Sequence, residues 1–233
     1  MMLKSKPRSW EIFDRIAPRY DMLNRILSGG MDILWRKRVI KFLPLGRKLQ
    51  VLDLATGTAD LVIELCKLDR VVAVKGLDLS KEMLNFGNEK LNAHPNGSKA
   101  YLEVGDAGSI QYDNDLFDVV TMAFGIRNTP DPSQVLSEIY RVLKPDGKVI
   151  ILEFSLPKNR LIRFFYLLYF RHVLPILAGI LSGDHEAYVY LNQSVEAFPY
   201  GDAFCDLICQ AGFSKVRQTR LTFGVATIYD ASK

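Results

Sequence analysis

LQVLDLATGTADLVIELCKLDRVVAVKGLDL, residues 49–79, decides the architecture. LQVLDLA (49–55) is a short apolar run rich in Val and Leu, TADLVIELCKL (58–68) has helical spacing, and VVAVKGLDL (71–79) is a second strand-like run. Neither run alternates cleanly between apolar and polar residues, as expected for strands with helices over both faces. The alternation continues outward. A helix over SKEMLNFGNEKLN, strands AYLEV and FDVVTMAF, a helix PSQVLSEIYRVLK and a strand KVIILEFS follow in order. This spacing predicts a doubly wound α/β sheet. KVRQTRLTFGVATIYDA holds two strand-like runs with no room for a helix between them, so the sheet should end in a hairpin with an antiparallel strand.

Two regions fall outside the alternation. In residues 8–45, Phe13, Ile16, Tyr20, Leu23 and Leu27 recur at helical spacing, and Pro18 predicts a break into two helices, with Pro18 in the first turn of the second. LIRFFYLLYFRHVLPILAGIL (161–181) is long and apolar, but Arg163, Arg171, His172 and Pro175 inside it argue against a spanning helix. A helix covering an apolar cavity, a helix touching a membrane surface, or a plain buried helix remain for it.

The chain has 233 residues, 48% hydrophobic and 24% charged, the composition of a globular domain rather than a disordered one. Without an internal repeat or low-complexity linker, it is expected to form one domain. Cys66, Cys205 and Cys209 are too scattered for a disulfide framework or a zinc site, and MMLKSKPRSW is not a signal peptide, so a cytoplasmic setting is expected. Residues 1–48 carry 12 Lys+Arg against 4 Asp+Glu, a balance of +8, whereas the other 185 residues hold 18 against 22, or −4, giving the net +4. A basic arm on an acidic body suits an anionic partner such as a nucleic acid, a phosphorylated ligand or a membrane surface, or is a solvated helical face.

Three acidic residues end successive strands: Asp53, Asp78 and Asp106. VLDLATGTAD is a strand, a tight turn and a helix start, in which Gly57 lets backbone N–H groups approach a ligand. Ala55 and Ala59 occupy positions where such loops often carry Gly. Asp78 is placed to accept both hydroxyls of a ribose, and Gly105-Asp106-Ala107 to read an adenine edge. Asp at a strand end is also a common helix cap. NAD and S-adenosylmethionine both fit this edge. The sulfonium is favoured because the loop lacks GxGxxG, because a C-terminal hairpin is foreign to the dinucleotide fold, and because Asp53 suits a cationic methionine group.

As a set these motifs resemble the class I S-adenosylmethionine-dependent methyltransferases, and more narrowly the ubiquinone/menaquinone-biosynthesis C-methyltransferase family. The similarity lies in YDMLNRILSGGMDILW (20–35), FGIRN (124–128), RVLKPDGKVIILEFS (141–155) and HVLPILAGILSGDHEAYVYLNQS, and it spans nearly the whole chain. It implies a Rossmann-like, mostly parallel seven-stranded sheet with a C-terminal antiparallel strand, extra N-terminal helices and an apolar helical insert. Within one domain, 1–233, it divides the chain into a basic cap (1–48), a cofactor-binding core (49–155), a substrate-covering insert (156–200) and a C-terminal helix with hairpin (201–233). It further implies cofactor contacts at Thr58, Asp78, Asp106 and Ala107. Ala123 stands where the family often has Ser, Asp32 where it usually has His or Gln, and Asp146 where it usually has Gly; the last two fall on no position that the chemistry uses.

The reaction implied is methylation of a ring carbon of a polyprenylated quinol, with demethylmenaquinol going to menaquinol. Sulfonium-to-carbon transfer is an in-line displacement that demands positioning and no metal. The ring carbon becomes nucleophilic only as the neighbouring hydroxyl loses its proton, so one group must take that proton and another must stabilise the phenolate. The resemblance points to Arg127 and Asn128, with Tyr20 as a lid contact. A guanidinium stays protonated, so Arg127 is expected to stabilise the phenolate or hold a water rather than act as a base. The plain alternative makes Asn128 a helix cap and Arg127 a surface ion pair. His185 and Asp184 rank lower as proton acceptors. Phe165 and Tyr169, with Phe164 and Phe170, are expected to line the groove for the prenyl tail, with the basic arm toward anionic head groups in a peripheral membrane contact. An RNA or other small-molecule methyltransferase and a non-catalytic cofactor-binding scaffold are the rival functions. No nucleic-acid module supports the first.

Overall fold

The computed structural model describes residues 9–176, 179 and 185–233. Its frame is a seven-stranded sheet in the order β3-β2-β1-β4-β5-β7-β6. The strands are β1 (Leu49–Leu54), β2 (Val71–Asp78), β3 (Ala100–Val104), β4 (Phe117–Ala123), β5 (Leu143–Phe154), β6 (Ser214–Leu221) and β7 (Ala226–Ser232). β1 to β5 pair in parallel, and β7 runs antiparallel between β5 and β6. The expected doubly wound sheet and its terminal hairpin are therefore present. The strand order reverses at β1/β4, and open α/β sheets place their ligands at the carboxyl ends of such strands.

Successive residues of each strand enter different cores, which explains the uninterrupted apolar runs. Val51, Val119, Ile150, Leu152 and Ile228 pack with Trp35 and Val39 of α2 (Met31–Val39) and Leu61, Val62 and Leu65 of α3 (Asp60–Cys66). Leu52, Leu54, Val120, Val149 and Ile151 pack with Val135, Leu136 and Ile139 of α5 (Pro132–Val142) and with Phe204 and Ile208 farther along the chain. Each such side chain contributes about 1.5–3 kcal/mol when fully buried. Between β2 and β3, α4 (Lys81–Asn92) is capped by Ser80, whose Oγ accepts from Met83 N–H.

Helix α1 (Ser9–Ser28) is continuous through Pro18, so the expected break is absent. Ile12, Ile16, Ala17 and Leu23 flank the proline and form one buried face against Met83, Leu156, Phe170, Leu174, Ala187 and Val195. Tertiary burial along that face outweighs the one hydrogen bond a proline removes. After β5 come α6 (Arg160–Leu168), one π-helical turn (Tyr169–Val173), α7 (His185–Ala197) and α8 (Asp202–Gln210), which contributes Phe204 and Ile208 to the second core. No described helix is long and apolar enough to cross a membrane.

At Asp146, in the irregular stretch of β5 between paired Leu143 and paired Lys148, φ is +60°. The stretch demands the left-handed region there, and Asp is among the few residues with a side chain that tolerates it.

Candidate active site

The exits of β1, β2, β3 and β4 surround a cavity of about 290 Å³ lined by Gly57, Asp78, Gly105, Asp106, Ala107, Ala123 and Asn128, with Trp10, Phe13 and Tyr20 reaching in from α1. Its floor is the ATGTA loop, where Ala55, Gly57 and Ala59 all take positive φ, at 50°, 54° and 63°. The two alanines therefore adopt the conformation for which similar loops use glycine. Asp78 Oδ2 accepts from Gly57 N–H at 2.8 Å and Oδ1 from Ser80 N–H at 2.9 Å. A carboxylate has about four acceptor positions, so with backbone donors from Gly57, Ser80 and Leu79 about one remains for a neighbouring hydroxyl. Burial raises the pKa of Asp78, and backbone donors from Ser80, Gly57 and Leu79 oppose it. Asp106 Oδ1 takes Gly108 N–H at 2.8 Å and shapes the loop past β3. Hydroxyl acceptors at one end and apolar walls from Leu79, Met83 and Phe13 fit a nucleoside.

Asp53 and Thr58 stand beside this cavity and do not line it. Asp53 is buried and its carboxylate accepts from Thr56 Oγ1 at 2.7 Å and Thr121 Oγ1, so it braces the loop from beneath. Desolvation pushes its pKa up to about 6, against both hydroxyls and the field of Arg36. Thr58 donates to Asp21 Oδ1 of α1 at 2.6 Å, and Lys90 Nζ bridges Asp21 Oδ2 at 2.7 Å and Thr58 Oγ1 at 3.3 Å. In this conformation Thr58 ties α1 to the loop.

A second cavity, about 270 Å³ and mostly apolar, is lined by Ile12, Ile16, Leu27, Trp35, Phe154, Tyr166, Tyr169, Phe170 and Leu174, with Arg127 and Arg36 as its cations. Phe13, Tyr20 and Phe124 line both cavities, so the two meet at these rings. Phe124 holds φ +59°, a strained conformation for a bulky residue of the kind that collects at functional sites. Asp32 lines the apolar cavity too and accepts from Arg36 Nη1 at 2.8 Å, Ser28 Oγ at 2.9 Å and Arg25. The Asp32 position, which the sequence left remote from the chemistry, thus belongs to the cavity wall.

FGIRN leaves β4 as a 3-10 turn (Ile126–Asn128) that points consecutive side chains into different cavities. Arg127 lines the apolar one and is 6% exposed. Its Nη1 donates to Glu153 Oε1 at 2.8 Å and to the Phe124 carbonyl, and its guanidinium lies over the Phe154 ring, 5.2 Å from the centroid. Asn128 lines the cavity that holds Asp78; its Nδ2 donates to the Phe124 carbonyl at 3.2 Å and its Oδ1 accepts from Tyr190 OH at 3.3 Å. The cap of α5 is Asp131, which accepts from Ser133 and Gln134 N–H. Asn128 is therefore not that cap, and Arg127 is not a surface ion pair.

Tyr20 reaches into both cavities. Burial raises its phenol pKa, while Arg36, a hydrogen bond with Asn24, and Arg127 pull it down. Tyr169 lines the apolar cavity and its hydroxyl donates to the Leu27 carbonyl at 3.1 Å. Phe165 does not line it: with Phe164 it stands on the outer face, 59% and 61% exposed. Asp184 and the His185 side chain lie outside the described residues. Glu153, Tyr190 and Arg36 were missed in the sequence. Glu153 reads as one polar residue in the apolar run VIILEF, and only the strand register brings it to Arg127.

The whole chain, residues 1–233, matches the ubiE/COQ5 methyltransferase family. It is 44% identical over 227 residues to the ubiquinone/menaquinone biosynthesis C-methyltransferase UbiE of Geotalea daltonii, covering 96% of this chain and 95% of that protein. It is 41% identical to the demethylmenaquinone methyltransferase of Bacteroides fragilis, covering 96% and 91%. Among solved structures, an S-adenosylmethionine-dependent methyltransferase of Thermotoga maritima, a possible histamine N-methyltransferase, shares the fold with a TM-score of 0.69 over 97% of this chain and 99% of that one, at 18% identity. With a match over its full length and close relatives at this coverage, the chain belongs to the ubiE/COQ5 methyltransferase family.

Proposed function

We propose that the protein transfers a methyl group from S-adenosylmethionine to a ring carbon of a polyprenylated quinol, converting demethylmenaquinol to menaquinol. The observation that carries this reading is the junction of a nucleoside-sized cavity that holds Asp78 and Asp106 with a more apolar one at Phe13, Tyr20 and Phe124, with Arg127 in the apolar wall. Relatives named for quinone biosynthesis support the same substrate class. When bound, S-adenosylmethionine supplies an electrophilic methyl on a sulfonium. Asp78 would hold a hydroxyl of its ribose, Asp106 and Ala107 its base, and Gly57 the backbone approach.

The chain's own task is to make the ring carbon nucleophilic. Arg127 holds a cation where the phenolate forms, fixed by Glu153 and the Phe124 carbonyl, so little reorganisation accompanies the change of charge. Asn128 orients the ring hydroxyl or a water, and Tyr20 closes the junction between the cavities. Water is kept out by Trp35, Phe124 and Phe154, which pack with centroids 4.5–6.1 Å apart.

The polyprenyl tail leaves the apolar cavity beneath α6. There Leu161, Phe164, Phe165 and Leu168 are exposed beside Arg160 and Arg163. An apolar face with flanking cations suits the surface of an anionic bilayer, from which such a substrate would be drawn. Phe164→Ser with Phe165→Ser should abolish cosedimentation with vesicles rich in anionic lipid. Retained binding would remove this surface from the reading.

Purified protein, labelled S-adenosylmethionine and a short-chain demethylmenaquinol should give a carbon-methylated quinol. Transfer to RNA instead would overturn the substrate, and binding of the donor without transfer would make the chain a scaffold.

A further inference from the structure

Glu153 is a carboxylate with no exposed surface, at the end of β5. Its Oε1 accepts from Arg127 Nη1 at 2.8 Å and from Phe154 N–H at 2.8 Å, and its Oε2 from Arg127 N–H at 3.4 Å. A buried ion pair of this kind adds little to stability compared with an apolar pair of the same volume. Here it stands behind the cation of the cavity in which a hydroxyl must lose a proton that arginine alone cannot keep.

Resting on the quinol reading, we propose that Glu153, acting through Arg127, is the acceptor of the substrate's hydroxyl proton. The quinol O–H gives up its proton and Glu153 Oε1 takes one up, while Arg127 keeps all of its own protons and exchanges its anion. The O–H bond breaks, its electron pair stays on the oxygen and ring, and Arg127 remains a guanidinium with phenolate in place of carboxylate as its anion. The site holds one cation and one anion before and after. Loss of the proton to solvent would instead leave two anions against one cation in an apolar wall, where unpaired charge is costly. Once the ring carbon carries the methyl, that carbon's own proton leaves to water, and Glu153 returns its proton to the oxygen by the reverse exchange.

Burial raises the Glu153 pKa against the pull of Arg127, toward the range of a proton acceptor at neutral pH. The surrounding groups do not compete for this proton. Tyr229 on β7 is pushed up to about 12, Thr227 faces Glu153 across the β5/β7 ladder, and the phenols of Tyr20 and Tyr166, which sense Arg127, are raised by burial.

The test needs no methyl donor. A nitronaphthol that is coloured when ionised, and fully ionised in solution above neutral pH, is bound to the full chain while an indicator dye follows protons. The wild type should take up about one proton per naphtholate bound, and its Kd should rise about tenfold per pH unit. Glu153→Gln should take up none and bind with a Kd that does not change with pH, while Glu153→Asp should restore the uptake. Naphtholate binding to the wild type without proton uptake overturns the proposal even if no variant folds. Equal pH slopes in the wild type and Glu153→Gln overturn it too, since a bracing role predicts them. If the wild type binds no naphthol at any pH, the quinol reading falls with it.

Discussion

The hydroxyl of Tyr190, on α7, donates to Asn128 Oδ1 at 3.3 Å. With Nδ2 on the Phe124 carbonyl, this bond fixes which way the Asn128 amide faces. Tyr190→Phe should therefore lower kcat about 3- to 10-fold, the worth of one hydrogen bond, with donor affinity unchanged. Steady-state kinetics with equilibrium binding of labelled donor checks it.

Arg127→Ala should lower turnover by about 10²- to 10³-fold, because the proposed phenolate would lose its cation. Its effect on donor affinity should stay within about twofold, since Arg127 lines the other cavity. Leaving Glu153 buried without its cation should also cost about 3–5 kcal/mol of stability. Arg127→Met with Glu153→Leu should recover the stability and none of the turnover. Equal losses of turnover and donor affinity in Arg127→Ala would return the residue to a structural role.

A Cβ at Gly125 would lie 2.4 Å from Ala55 Cβ and 2.9 Å from Met122 Cε. Gly125→Ala should cost about 1–3 kcal/mol through overpacking. Ala55→Gly removes the methyl it meets and also relieves a left-handed alanine, so the double variant should regain most of the loss. Denaturant unfolding of the three variants tests the coupling.

Asp53 contributes a pH dependence of definite sign. Its folded pKa, about 6, lies above the unfolded 3.8. Between these values the native state holds a proton that the unfolded chain has lost, so stability falls as pH rises through the window. At 1.36 kcal/mol per unit the limit is roughly 3 kcal/mol. Thermal unfolding at pH 4.5 and 7.5 should show about 2 kcal/mol of it in the wild type relative to Asp53→Asn, which cannot titrate.

Tyr169 and Phe165, adjacent in expectation, separate in space. Tyr169→Ala should raise KM for a long-tailed quinol in detergent about fivefold, an effect near 1 kcal/mol. Phe165→Ala should leave it within about twofold. Matching effects would put Phe165 back in the groove.

The sheet was legible because strand periodicity and turn residues are local signals, and Asp78 and Asp106 followed from it as residues at strand ends. Phe165 went astray because an all-apolar helix does not declare which side is covered. Glu153, Tyr190 and the Asp21–Thr58–Lys90 contacts were illegible for another reason: each joins residues 26 to 69 positions apart, and only packing sets them. Pro18 misled because its local cost is real and a buried face overrides it.

Helix α1 is a wall of both cavities, tied down by Asp14 to Ser80, by Asp21 to Thr58 and Lys90, and by Arg25 to Asp60. A donor and an acceptor seated in these two cavities would thus share one wall, and its opening would release both products. Exchange of the two should be coupled in time, so trapped-product kinetics would report one opening per methyl delivered rather than two independent dissociations.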